Sequence, residues 1–137
     1  MTDPPVPTVA ELEVLRVLWQ RGPQTVRDVF TMIQRRRDVG YTTVLKTLQV
    51  MQAKGLVTRD LTSRSHVYRS AVPEVGVKNR LVADLVDRVF GGSAAGLVLH
   101  ALSGTRASAD ELQQIRDLLD GIAPETNATS RARGRKR

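Results

Sequence analysis

Apolar residues fall at helical spacing in the first third of the chain. Leu12, Leu15, Val17, Leu18 and Trp19 follow Thr8-Val-Ala-Glu11. That leader matches a capping box, in which a threonine hydroxyl and a glutamate carboxylate satisfy free amides at a helix start. Gly22-Pro23 ends the segment, because proline cannot continue a helix. Thr25 then caps a second helix with Val26, Val29, Phe30 and Ile33 on one stripe, running into Arg35-Arg36-Arg37-Asp38 and broken by Gly40. A third helix is expected from about Thr42 to Lys54, with Val44, Leu48 and Met51 turned to a core, Leu45 at its border and Gly55 as the stop. Leu56 to Leu61 and His66 to Ser70 are short β-prone runs around the polar stretch Thr62-Ser-Arg-Ser65, the pattern of a hairpin. Three short helices and a hairpin make a winged helix-turn-helix arrangement.

Pro73 disfavours helix in the residue before it and tolerates the first turn of the next, so a second segment is expected to start there. Val77, Leu81, Val82, Leu85, Val86, Val89 and Phe90 give one helix a broad apolar face, closed by Gly91-Gly92. Ser93 caps another through Leu97, Val98, Leu99 and Leu102. Ser108-Ala-Asp-Glu111 is a second capping box, opening a helix through Leu112, Ile115, Leu118, Leu119 and Ile122. About 50 residues in three such helices bury too little surface to stand alone, and a second copy would supply the missing burial. The expected dimerisation residues are Leu81, Leu85, Val89, Leu97, Val98, Leu102, Leu112, Ile115 and Leu119. The fold class is mainly α with a small β-hairpin wing. The expected units are a winged-helix domain to Val72, a helical dimerisation segment from Pro73 to Ala123, and a disordered basic tail from Pro124 to Arg137, whose composition cannot pack a core.

The 137-residue chain has a net charge of +7 and a pI near 10.8, which favours polyanion partners. Location sharpens this. Met1 to Val72 carries 11 Lys/Arg against 6 Asp/Glu, the middle segment 5 against 7, and the tail 5 against 1. The middle is the part suited to protein contacts. Cysteine is absent, which removes disulfides, thiolate zinc sites and cysteine redox chemistry. No stretch has the roughly 20 apolar residues of a membrane span, and Met1-Thr-Asp-Pro-Pro lacks the basic and apolar regions of a signal peptide, so the cytoplasm is the expected location.

Tyr41-Thr-Thr-Val-Leu-Lys-Thr-Leu48 is the most informative stretch. With Val44 and Leu48 inward, helical geometry leaves Thr42, Thr43, Lys46 and Thr47 outward, where hydroxyls and a cation can meet phosphates and base edges in a major groove. Tyr41, Thr42 and Thr43 stand on the N-terminal turn, where free amides favour a phosphate. Arg64, at the expected hairpin tip, is placed to reach the backbone or minor groove alongside, with Arg59 or Arg69 as helpers. Arg35, Arg36 and Arg37 read as a charge cluster favourable at a helix C-terminus. His66 and His100 have no metal-ligand spacing and read as structural, and Trp19 reads as a core anchor. Phosphate loops, nucleophile elbows and paired catalytic carboxylates are not seen. The chain reads as a non-enzyme with no cofactor and no metal.

The run Ala10-Glu-Leu-Glu-Val-Leu-Arg-Val-Leu-Trp19, then Pro23 and Thr25, then Tyr41-Thr-Thr-Val and Lys54-Gly-Leu-Val57, resembles the BlaI/MecI-type penicillinase repressor family over about residues 8 to 122. The resemblance implies a homodimer whose winged helices bind a palindromic double-stranded DNA operator and block transcription, with the C-terminal helices exchanging contacts between subunits. In members controlling β-lactam resistance, it implies release by a sensor protease cutting an Asn-Phe bond in the second C-terminal helix. The matching stretch here is Leu99-His-Ala-Leu102, so the candidate cleavage region is the different bond His100-Ala101. A copper-responsive branch carries a C-terminal cysteine pair, which this chain lacks. The competing reading, from another class, is a protein-interaction module on a winged-helix scaffold whose arginine-rich tail alone touches nucleic acid, without sequence preference.

Overall fold

The computed structural model describes residues 6–62, 64–104 and 106–122. Three helices open the chain: α1 (Val9–Arg21), α2 (Val26–Gln34) and α3 (Tyr41–Lys54). Each starts and stops where its local chemistry directs. Thr8 and Glu11 complete a reciprocal capping box at α1, and Thr25 and Asp28 do the same at α2. The sequence pattern signalled only the threonine of the second pair. Gly22 leaves α1 at φ 80°, and Gly55 closes α3 in the left-handed region at φ 85°, where a side chain would be strained. The third helix begins one residue earlier than expected, at Tyr41, with Gly40 as its N-cap.

The buried stripes are Val14, Leu15 and Leu18 on α1, Val26, Val29 and Ile33 on α2, and Val44, Leu48 and Met51 on α3. Spacings of three, four and seven residues put the α2 and α3 trios each on one helix face, spacings of one, three and four do the same for α1, and the three faces meet in a single core. Leu45 is half-buried at its edge, as its position on α3 suggested.

Strands β1 (Val57–Asp60) and β2 (Val67–Ser70) pair antiparallel, with Val57 opposite Ser70 and Arg59 opposite Tyr68. Both are shorter than the β-prone runs. Leu56 is spent on the helix exit, its amide bonding Met51 O at 2.9 Å, and His66 turns at φ 48° before the strand begins. Leu56, Val57 and Tyr68 complete the core from below. The outer edge of β2 is occupied by a feature the sequence did not signal. Gln24, between α1 and α2, exchanges backbone hydrogen bonds of 2.9 and 2.8 Å with Tyr68, which pins that loop to the hairpin and covers a strand edge. Trp19 is a polar anchor as well as an apolar one. Its indole Nε1 donates to Ser70 Oγ at 3.0 Å and to Val72 O at 3.2 Å, joining α1 to the end of the hairpin. Three helices closed by a two-stranded hairpin form a winged helix-turn-helix.

Helix α4 (Glu74–Val89) follows with Pro73 as its N-cap. Val77 is buried in the winged-helix core, and Leu81, one turn on, packs against it. The described residues group into two compact units divided after Gly91. Gly91 and Gly92 take φ 58° and 87°. The second unit holds α5 (Ala94–Gly104), whose Gly96 amide bonds Ser93 Oγ at 2.9 Å, and α6 (Ala109–Gly121), opened by the Ser108–Glu111 capping box. Neither α5 nor α6 has a fully buried residue among those described. The basic tail lies outside the described residues. No helix among the described residues is long and apolar enough to cross a membrane.

Candidate nucleic-acid interface

Helix α3 buries one face and leaves the other in solvent. Tyr41, Thr42, Thr43 and Lys46 are exposed and Thr47 is half-buried. The Thr47 hydroxyl donates to Thr43 O one turn earlier at 2.9 Å, which fixes its rotamer and leaves its oxygen free to accept. Thr43, Lys46 and Thr47 share a shallow concavity with Thr8, Ala10, Glu11 and Val50. Tyr41 belongs to the opposite flank, its ring edge-on to Phe30 at 5.7 Å with the Arg27 guanidinium 4.9 Å from its centroid. The outward residues therefore divide between two sides of the helix. Arg64 is exposed in the hairpin turn, and its neighbour Ser63 lies outside the described residues.

Electrostatics separate cations that are engaged from cations that are available. Lys54 is bound to Glu11 Oε2 at 2.7 Å, so the end of α3 is fastened to the start of α1. Burial alone would raise the Glu11 carboxyl. The Lys54 hydrogen bond, the Thr8 amide and the Lys54 charge outweigh burial and hold it below the ordinary carboxylate range. Arg37 forks onto both Glu13 oxygens at 2.8 to 3.1 Å, an ion pair that uses up one member of the arginine cluster at the end of α2. Asp60 accepts from the Thr62 hydroxyl at 2.6 Å and from its amide at 2.9 Å, which lowers its pKa and shapes the turn. Lys46, by contrast, faces outward and exposed, and no carboxylate among the described residues pairs with it, which leaves a cation available to a ligand.

A groove of about 490 Å³ lies between the N-terminal turns of α2 and α3 and the hairpin, lined by Thr25, Arg27, Tyr41, Leu45, Arg59, Ser65 and His66 among others. Of these, Arg59 was expected as a helper of Arg64 and His66 as a structural residue, while Arg27 carried no expectation. Arg27 had no sequence signal beyond an exposed helical position, because its place over the Tyr41 ring depends on how two helices pack. His66 carries one. A polar residue closing a hairpin turn is a candidate for the left-handed conformation it adopts.

The expected dimerisation residues are placed as follows. On α4, Leu81 is half-buried against the winged-helix core, while Leu85 and Val89 are 41% and 63% exposed. On α5, Leu97 is half-buried and Val98 and Leu102 are exposed. On α6, Leu112 and Ile115 are half-buried and Leu119 is exposed. His100 and Ala101 are exposed within α5, inside regular helix.

Residues 7–121 match the family described as penicillinase repressor. The chain is 37% identical over 115 residues to the transcriptional regulator BlaI of Mycobacterium tuberculosis, covering 80% of this chain and 79% of that protein. It is 25% identical over 111 residues to the methicillin resistance regulatory protein MecI of Mammaliicoccus sciuri, covering 81% and 90%. Among solved structures, the monomeric form of Bacillus licheniformis BlaI in complex with the blaP half-operator aligns with a TM-score of 0.49 at 24% identity, covering 56% of this chain and 93% of that one. With the match spanning both the winged helix and the helices that follow it, the chain belongs to the penicillinase repressor family of DNA-binding transcriptional repressors.

Proposed function

We propose that this chain is a homodimeric repressor that occupies a palindromic operator in double-stranded DNA and so blocks a promoter. One observation carries the reading: α3 holds the winged-helix core with one face and offers Thr42, Thr43 and Lys46 to solvent on the other. Short hydroxyls and a cation at the start of a helix suit base edges and phosphates in a major groove. Tyr41 and Thr47 border that face, and Arg64 in the wing reaches the neighbouring backbone.

Residues 73–123 supply dimerisation in this reading. Helices α5 and α6 leave leucines and valines in water and have no fully buried residue among those described, a state that a second copy would relieve. Two-fold symmetry then sets half-sites about one or two helical turns apart, each turn being roughly 10 base pairs. A repressor of this kind works in the cytoplasm, where the DNA is. A sensor protease acting at His100-Ala101 would have to unwind α5 first, because a protease reads extended backbone.

The test is selection from a genomic fragment library by the full chain, by Lys46→Ala, and by a chain lacking residues 130–137. One palindrome chosen by both the full and tail-deleted chains, and bound more weakly by Lys46→Ala, supports the repressor reading. A footprint on a single asymmetric site overturns it. Loss of all binding with the tail, without sequence preference beforehand, transfers the function to a protein-interaction module with a basic arm.

A further inference from the structure

Arg59 stands on β1 opposite Tyr68, and its Nε is shut from solvent with no hydrogen-bond partner among the described residues. A buried N–H without an acceptor is rare, because folding has removed its water and returned nothing. The side chain borders the groove that also takes Arg27, Thr25, Ser65 and His66. Arg27 lies 4.9 Å over Tyr41 and 5.8 Å over Phe30, so its position is set by ring contacts, and no carboxylate among the described residues pairs with it. None of the described lining residues is acidic. The sequence neighbours that could oppose the charge are already engaged, Asp28 in the α2 capping box and Asp60 with Thr62.

Two guanidinium groups, the Thr25 and Ser65 hydroxyls and an imidazole on one concave surface are complementary to a tetrahedral oxyanion. Guanidinium forks match phosphate oxygens in pairs, and an arriving oxyanion would give the Arg59 N–H the acceptor it lacks once that side chain turns outward. We propose that this groove seats a phosphate oxyanion, gripped by Arg27 and Arg59. The phosphate comes either from the backbone of DNA lying along α3, a source that rests on the repressor reading, or from a free phosphorylated small molecule, which does not. Tyr41 and Leu45 of α3 form one wall, so an occupant here touches the same helix that faces the operator.

The test follows the arginine Nε–Hε signals of the full chain by nuclear magnetic resonance, on adding inorganic phosphate at constant ionic strength and, separately, a random-sequence duplex. In parallel, duplex affinity is measured across salt concentrations for wild type, Arg27→Gln, Arg59→Gln and Arg59→Lys. The Arg59 signal is expected to move saturably. Arg27→Gln is expected to weaken duplex binding several-fold and to reduce the salt slope by about one, the loss of one phosphate contact. Movement with the duplex alone assigns the seat to the DNA backbone. Movement with inorganic phosphate, lost in Arg27→Gln, assigns it to a phosphorylated small molecule. An Arg59 signal unmoved by both overturns the seat, and if Lys46→Ala still weakens duplex binding the repressor reading stands without it. Response to inorganic phosphate with no effect of Lys46→Ala on DNA leaves the seat standing and the reading fallen. Should Arg59→Gln fail to fold, Arg27→Gln, at an exposed position, carries the same comparison.

Discussion

Glu11 closes the capping box of α1 and, through Lys54, holds the far end of α3. Its carboxyl is held below the ordinary range in the fold, so the ionised form is favoured there. The stabilisation is fully present above the unfolded carboxylate pKa of roughly 4.3 and is lost as pH falls through the lower folded value. Glu11→Gln is expected to lower the melting temperature at neutral pH and to flatten the acid limb of stability, which thermal denaturation from pH 7 to pH 3 would read. Lys54→Met leaves a nearly buried carboxylate without its cation and is expected to cost about 2 kcal/mol, less than a fully buried pair because Lys54 stays partly in water. His66 offers a separate check on the wing. At φ 48° it sits where asparagine is tolerated and a β-branched residue is not. His66→Asn is expected to be neutral and His66→Val to cost about 1–2 kcal/mol in urea denaturation.

Helix α2 has nine residues, too few to persist alone, so its caps and its buried stripe must hold it together. Thr25→Ala is expected to destabilise the protein by about 1 kcal/mol. Because α2 and α3 share the core, the loss should appear as one cooperative shift. Leu48→Ala, at a fully buried position of α3, is expected to cost about 2–5 kcal/mol by opening a cavity, and Val50→Ala, on the exposed side, well under 1 kcal/mol. That contrast measures which face of α3 the fold uses. The remaining face is the one assigned to DNA. Element positions were legible because each helix carries its own start, stop and period. The Gln24–Tyr68 bridge was not, since a glutamine in a loop bears no mark of the strand it will meet.

At the level of the whole molecule, the charge distribution and the apolar faces suggest different partners. The positive segment forms the winged helix, and the mildly acidic one carries leucines that its own described residues leave in water. If these faces pair two copies, Leu119→Glu and Val98→Glu are each expected to convert a dimer to a monomer in sedimentation equilibrium. The wild-type melting temperature should also rise with protein concentration, as mass action requires of a dimer. Operator affinity should fall in the same variants, because one winged helix reads only one half-site.

The helices, the hairpin, the inward stripes and the family are legible along the chain because they rest on local signals: capping residues, glycine stops, a 3.6-residue period and short motifs in a fixed order. The outward residues of α3 follow as well, since burying Val44 and Leu48 leaves Thr42, Thr43 and Lys46 nowhere else to point. Which cations are engaged depends on how the helices and the hairpin pack. Lys54 and Arg37 are paired with Glu11 and Glu13, 43 and 24 residues away. Arg27 and Arg59 meet at one groove because a helix and a strand pack side by side. Charge acts through space, and the distances that set its strength are fixed by packing between segments that share no local pattern.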